Sequence, residues 1–134
     1  MAATPEQPAA SFRFRLDLRS GVPVYRQLID QVLGAIATGQ LKPGDRLPTV
    51  RGVAVDLTIN PNTVVRAYKE LEIRGVLTTQ QGTGTFISTQ PVQKDEVERQ
   101  RRLTQLAGEM VARAGAEGFT VAELIARLQE MQPS

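Results

Sequence analysis

Apolar residues recur along the chain with changing periods, and each change of period predicts a new structural element. Over residues 12–18 they alternate with polar residues, which is the two-residue period of a short, half-buried strand. From Val24 to Ile36 they recur at spacings of three and four residues until Gly39 ends the pattern. This spacing predicts a first amphipathic helix, with Pro23 in its first turn.

Two shorter helices follow, and each has a recognisable start. Thr49 is a suitable N-cap for a second helix, whose apolar stripe runs to Leu57. Asn60 followed by Pro61 predicts the start of a third helix, because Asn caps exposed amides and Pro lacks an amide hydrogen that the first turn could not use. Gly75 predicts the end of that helix.

The pattern changes again after the third helix. From residue 76 to 88, Thr and β-branched residues flank the sequence QGTG, which predicts two short strands joined by a glycine turn. Pro91 then separates a second region with two more amphipathic helices. The fourth follows a charged run and is expected to break at Gly115 and Gly118, and the fifth begins at a capping box of Thr120 and Glu123.

These elements predict a fold that is mainly α with a small β-hairpin, in the broad α+β sense. Residues 1–11 are expected to form a flexible leader, and residues 12–90 a winged helix-turn-helix domain. Within that domain the helix-turn-helix covers about residues 50–69 and the wing, the predicted hairpin, about residues 76–88. Residues 91–134 are expected to form a two-helix dimerisation region.

Composition limits the chemistry that the chain could perform. Its 134 residues suffice for about one domain, and they include neither Cys nor His. Thiolate zinc sites and the usual general base are therefore excluded. We expect no enzyme, metal site or cofactor, because no nucleophile with its base and no phosphate loop is found. No apolar run approaches the roughly 18 residues that span a bilayer, so we expect a cytoplasmic protein without membrane contact.

Charge is distributed unevenly. Residues 12–90 carry ten basic and six acidic side chains, a net +4, whereas residues 91–134 carry six and seven, a net −1. Thirteen of the sixteen basic residues are Arg, whose planar fork suits phosphate oxygens and the guanine edge. A GC-rich genome would produce the same preference for Arg, so this observation alone leaves both explanations open.

The third helix presents a polar face with the chemistry of base and phosphate recognition. Asn62, Arg66 and Lys69 recur at spacings of four and three residues, which places them on one side of the helix, opposite Val64 and Leu71. Amide, guanidinium and ammonium groups pair with adenine, guanine and the DNA backbone respectively. The amides of residues 62 and 63 are expected to be free to bind a phosphate oxygen.

Each of these features also has an ordinary structural explanation. Asn followed by Pro is a common helix start, basic residues on an outer helix face are usually there for solvation, and Gly82 and Gly84 suit any turn that needs positive φ. The occurrence of all of them together, in the order of a winged helix-turn-helix, favours nucleic-acid binding.

Four motifs resemble the GntR family of bacterial transcription regulators. They are VPVYRQ at 22–27, GQLKPGDRLPTVR at 39–51, NPNTVVRAYKELE at 60–72 and QGTGTFI at 81–87. The short two-helix tail and the NPNTV signature resemble the YtrA subfamily. The resemblance is detailed over about residues 12–90, and extends to the tail only in size and pattern.

The resemblance implies a DNA-contact role for particular residues. Arg51 would contact DNA, and Asn60, Asn62 and Thr63 would contact the backbone and bases. Gly82 would pass close to the minor groove or its phosphates. The whole candidate DNA-binding set is Arg46, Thr49, Arg51, Asn60, Asn62, Thr63, Arg66, Lys69, Gln81 and Gly82. Many members have Ser-Arg or Thr-Arg in place of Asn60 and Pro61, so the operator sequence does not transfer from the family.

The two tail helices cannot bury their apolar stripes alone, so a symmetric homodimer is expected. Packing back onto the winged helix is the alternative. The expected dimerisation residues are Leu103, Leu106, Met110, Leu124, Ile125 and Leu128.

The function that these observations favour is a dimeric repressor that binds double-stranded operator DNA. The resemblance implies a transporter operon as a target, whereas the sequence identifies no effector ligand. The alternative is a winged-helix module for protein–protein assembly, on which the basic face is incidental. DNA affinity that falls steeply with rising salt distinguishes the first from the second.

Overall fold

The computed structural model describes residues 12–89 and 95–132. The predicted leader, residues 1–11, and Pro91 lie outside this range. The elements in chain order are α1 Val24–Thr38, α2 Val50–Leu57, α3 Pro61–Ile73, β1 Leu77–Gln80, β2 Gly84–Ile87, α4 Glu96–Ala116 and α5 Val121–Met131. The predicted fold class, mainly helical with one hairpin, is therefore confirmed. Packing divides the chain into two units, Met1–Gln90 and Pro91–Ser134.

The core of the first unit lies between α1, α2, α3 and the hairpin. Apolar side chains from all of these elements are buried there, because each element has one apolar side. Its largest fully buried side chains are Leu28, Ile29, Leu41, Leu47, Leu71, Val32 and Val64. Pro23 proves to be the N-cap residue of α1 instead of lying in its first turn.

The hairpin pairs antiparallel, with Leu77 opposite Ile87 and Gln80 opposite Gly84. A short segment before α2 also pairs with β2, and the sequence pattern does not predict this pairing. The Leu47 amide donates to the Thr85 carbonyl at 2.8 Å, and an isolated bridge joins Arg46 to Phe86. These bonds tie the wing to the chain that leads into α2, and so fix its position relative to the helix-turn-helix.

The strand predicted over residues 12–18 is not present. Phe12 and Phe14 are buried as the alternation requires, but no strand in the described part of the chain pairs with this segment, and Leu18 is 82% exposed. Two Gln side chains of α1 take the place of a strand partner. The Gln27 amide accepts from the Asp17 amide and donates to its carbonyl, both at 2.9 Å. Gln31 does the same for Arg15.

The turn of the helix-turn-helix is short and passes through one unusual backbone conformation. Thr58, the C-cap of α2, has φ 55° and ψ 53°, in the left-handed region. Its amide and that of Ile59 bond back to carbonyls in the last turn of α2. This geometry ends α2 at the position that the sequence predicts.

The second unit consists of α4 and α5. Helix α4 begins inside the charged run and extends through Gly115 to Ala116, so the prediction that Gly115 ends the helix is wrong. A helix tolerates one Gly at a cost of about 1 kcal/mol, and the chain turns only at Gly118, where φ is 87°. The predicted capping box of Thr120 and Glu123 is confirmed at the start of α5. Within the two described segments, no helix has the length and apolarity that crossing a membrane requires.

Candidate nucleic-acid interface

The N-terminus of α3 is capped by its own side chains. The Asn60 Oδ1 atom accepts from the Asn62 amide at 2.8 Å, and the Thr63 amide donates to the Asn60 carbonyl at 3.0 Å. The expectation that these two amides are free is therefore wrong, because the N-cap satisfies them within the helix. The exposed Asn60 and Asn62 side chains, with half-buried Thr63, remain as the polar groups of this tip.

The outer face of α3 carries the two cations predicted for it. Arg66 and Lys69 are both exposed, while Val64 and Leu71 on the opposite side are fully buried. The Arg66 guanidinium stacks over the ring of Tyr25 in α1, with its Cζ atom 3.7 Å from the ring centroid. The sequence pattern gives no indication of this contact, because nothing in it relates residues 25 and 66.

Helix α2 presents its N-terminus beside α3. Thr49 caps it by accepting from the Gly52 amide at 3.0 Å, and Arg51 is exposed in its first turn. The Tyr68 hydroxyl of α3 donates to the Pro48 carbonyl at 2.6 Å, which anchors the approach to α2 against α3. Burial raises the pKa of Tyr68 above its usual value, so the hydroxyl keeps its proton, and the hydrogen bond its donor, to higher pH than in an exposed tyrosine.

The wing surface combines the tip of the hairpin with an arginine from the segment before α2. Gln81 and Gly82 are exposed at the tip, and Gly82 has φ 79°. The Arg46 side chain crosses the start of β2: a Cβ atom built on Gly84 would lie 2.7 Å from the Arg46 Nε atom. The glycine at position 84 thus makes room for the Arg46 side chain.

Three cations of the helix-turn-helix take part in none of its ion pairs. Asp56 of α2 and Glu70 of α3 pair with Arg13 and Arg74, at 3.5 and 3.2 Å. Among the residues that the structure describes, Arg51, Arg66 and Lys69 have no carboxylate within ion-pair distance. The exposed surfaces of α2 and α3 therefore offer three uncompensated cations to an anionic ligand.

The second unit presents its apolar residues to solvent. None of its described residues is buried, and Leu106, Ile125 and Leu128 are 57, 49 and 49% exposed. Leu103 and Met110 are also exposed, and Leu124 is half-buried.

Surface ion pairs, such as Glu98 with Arg101 at 2.7 Å, lie along α4. The side-chain hydrogen bond from Arg101 lowers the pKa of Glu98.

Similarity to known proteins identifies the family. The family model of bacterial regulatory proteins of the gntR family matches residues 24–87. The solved structure of YtrA from Sulfolobus acidocaldarius, a GntR-family transcription factor, is 34% identical, with a TM-score of 0.54, over 70% of this chain and 97% of that chain. This chain belongs to the GntR family. Its YtrA-like motifs and the match to this structure agree with the expected YtrA subfamily.

Two further relatives extend the comparison of this GntR-family chain. The transcriptional repressor YtrA of Bacillus subtilis is 49% identical over 74 residues, which are 55% of this chain and 57% of that protein. A transcriptional antiterminator from Listeria monocytogenes has a TM-score of 0.65 and 27% identity over 89% of both chains. The chain spans less than two thirds of the length of the curated relatives that it matches.

Proposed function

We propose that the chain is a sequence-specific DNA-binding transcription regulator that acts as a dimeric repressor. One observation carries this proposal: the uncompensated cations Arg51, Arg66 and Lys69 lie on the two helices that the family uses for recognition. Phosphates attract such cations, and α3 has the position of a reading helix in a winged helix-turn-helix. Bacillus YtrA is named a repressor, and we extend that role to this chain.

The proposed contacts fall into three groups. Asn60, Asn62 and Thr63 with Arg66 and Lys69 would face the major groove and its phosphates, because these residues occupy the start and outer face of α3. Thr49 and Arg51 would contact the DNA from α2. Gln81 and Gly82 would reach the neighbouring groove, and Arg46, which crosses the start of β2, would contact the DNA beside the wing. No cofactor is required by this arrangement.

We infer that residues 91–134 supply the dimer contact and residues 12–90 the DNA contact. Apolar surface is exposed to water at Leu106, Ile125 and Leu128, and its burial against a partner is favourable. A second copy of the same helix pair offers a matching apolar surface. Two reading helices would then meet half-sites about 34–36 Å apart, one turn of duplex. A regulator of this kind acts in the cytoplasm, where the chromosome lies.

The decisive experiment is a titration of fluorescent duplex DNA, monitored by anisotropy at several salt concentrations. Three cations in each of two copies neutralise about six phosphates, so affinity should fall by about 10³-fold between about 50 and about 200 mM salt. Weak binding with no salt dependence would contradict the proposal and favour a protein–protein assembly module.

The Arg51→Ala variant tests the proposed face directly. Its side chain has no partner among the described residues, so removal should not affect folding. We expect a loss of about 1 to 3 kcal/mol of specific binding if Arg51 contacts a base. Arg19→Ala is the matched control, because Arg19 is also exposed but lies outside the recognition helices. Equal binding by both variants would place the DNA on another surface.

A further inference from the structure

Tyr25 and Arg66 join two helices of the first unit through a cation–π stack. The Arg66 Cζ atom lies 3.7 Å from the centroid of the Tyr25 ring. Tyr25 is half-buried in the first turn of α1 and packs against the core, so the core holds its ring in place. The Tyr25 ring therefore favours one position of the exposed Arg66 side chain over its other rotamers.

The stack forms although an ion pair within α3 was available. Glu70 lies four residues after Arg66, a spacing at which opposite charges normally meet on a helix. Glu70 instead pairs with Arg74 at 3.2 Å, through the Arg74 Nε atom. On the other side, Arg26, the neighbour of Tyr25, is 3.8 Å from Asp30. Because these two carboxylates pair with other arginines, the Arg66 guanidinium contacts the Tyr25 ring instead.

Stacking occupies the flat face of the guanidinium and leaves its edge available. The five N–H donors of an Arg side chain lie in the plane of the group, pointing outward from it. Arg66 donates no hydrogen bond to any described residue, so these donors have no acceptor in the part of the first unit that the structure describes. A phosphate or a guanine edge offers the matching acceptors.

We propose that Tyr25 is a positioning residue for nucleic-acid recognition: it holds the Arg66 guanidinium plane in the orientation that binds the duplex. This inference rests on the proposed function and extends the interface to the N-terminus of α1. Ordering a long side chain on binding costs conformational entropy, and a stack that forms beforehand reduces that cost. Lys at position 66 would keep the charge but lose the planar contact.

The test is a double-mutant cycle in the full chain. The probe is a fluorescent duplex that the wild-type chain selects from a random-sequence pool, and the variants are Tyr25→Leu, Arg66→Ala and their combination. We expect Tyr25→Leu to weaken binding by about 2- to 5-fold, the range for a cation–π contact at an exposed site. In the Arg66→Ala background the same change should have no further effect. Tyr25→Phe, which keeps the ring, should restore most of the affinity.

Equal weakening by Tyr25→Leu in both backgrounds would show a structural role and overturn the inference, as would unchanged binding. If Tyr25→Leu fails to fold, NMR of the wild type decides: ring-current shifts of the Arg66 side chain must persist in the DNA complex. Their absence would overturn the inference. A wild-type chain that selects no duplex would instead contradict the proposed function.

Discussion

Thr58 is held in a backbone conformation that suits it poorly. It is β-branched and exposed, yet its φ is 55°, the only positive value among the described non-Gly residues. Such a conformation costs a residue with a branched Cβ about 1 to 3 kcal/mol. The turn between α2 and α3 requires it, because the Thr58 amide must bond back to the last turn of α2. The strain is thus part of how the helix-turn-helix is closed.

Replacing Thr58 with Gly should therefore stabilise the first unit. Gly adopts positive φ without a steric cost but loses more entropy on folding, so we expect a net gain of about 1 kcal/mol. Thermal unfolding followed by circular dichroism measures it as a rise in Tm of about 4 to 8 °C. Thr38→Gly, at the last residue of α1, has no positive φ to relieve and should lower Tm. A fall in Tm for Thr58→Gly would contradict the assignment of strain.

At the scale of elements, the extended segment before α1 is held by side chains and not by a strand. Gln27 and Gln31 lie one turn apart on α1 and each bonds both to an amide and to a carbonyl of this segment. A side-chain amide has the same donor and acceptor as a peptide group, so it reproduces the pairing of a strand. Phe12 and Phe14 can then face the core without a third sheet strand.

The Gln27→Met variant tests this arrangement. Met has a similar volume but no hydrogen-bonding amide, so the backbone of Asp17 loses its partners beside a buried position. We expect a loss of about 1 to 3 kcal/mol in the free energy of unfolding, measured with urea. Gln31→Met is the matched variant: Gln31 is less buried and water replaces its bonds, so the loss should be smaller. Equal losses in the free energy of unfolding of the two variants would show that the burial of Gln27 does not strengthen the effect of its hydrogen bonds.

The start of α5 should respond to acid. Hydrogen bonds from the backbone and side chain of Thr120 lower the pKa of Glu123 below its ordinary value. A carboxylate with a lowered pKa in the folded state adds stability above its unfolded pKa, and that stability is lost as the pH falls through the folded pKa. We expect the helicity of α5 to decrease as the pH drops below about 4.

Far-ultraviolet circular dichroism of the full chain against pH measures this change. In Glu123→Gln the side chain still accepts a hydrogen bond but does not titrate, so part of the acid-induced loss should disappear. Glu130→Gln is the control, since Glu130 lies near the end of α5 and its ion pair with Arg127 is exposed. Identical acid profiles for wild type and Glu123→Gln would contradict a role for the charged cap.

At the scale of the whole molecule, DNA binding and dimerisation are expected to depend on each other. A single first unit offers three uncompensated cations, which is few for tight binding at physiological salt. Two copies held together double the number of phosphate contacts and fix the half-site spacing. The exposed apolar face of α4 and α5 is the surface that we propose for holding them.

Leu106→Glu should therefore dissociate the proposed dimer. Leu106 is 57% exposed in a single chain, so a charge there costs little in a monomer but is buried in the proposed dimer. We expect sedimentation to show a monomer and DNA affinity to fall by at least about 10-fold. Gln105→Glu adds the same charge to the neighbouring position of α4, away from the apolar stripe, and should remain dimeric. A chain ending at Ser88 should likewise be a monomer that binds DNA more weakly. If both variants remained dimeric, residues 91–134 would have another role.

Local signals in the chain were sufficient for most of the fold. Helix starts at Thr49, Asn60 and Thr120 are marked by caps whose side chains bond within three residues, so no distant contact is needed to place them. The three- and four-residue apolar periods define which sides of α1 and α3 are buried. The order of elements then indicated a winged helix-turn-helix, and the motifs indicated the GntR family.

Contacts between residues far apart in the chain could not be read in this way. Alternation over residues 12–18 predicts a strand, but whether a strand forms depends on a partner, and here α1 supplies Gln27 and Gln31 instead. The pairing of Arg46 with Phe86 and the stack of Arg66 on Tyr25 likewise join separate elements. Periodicity and caps report on a residue and its near neighbours, whereas such contacts depend on how folded elements meet in space. The helices are thus a property of local sequence, and the arrangement of side chains on the proposed DNA face is a property of packing.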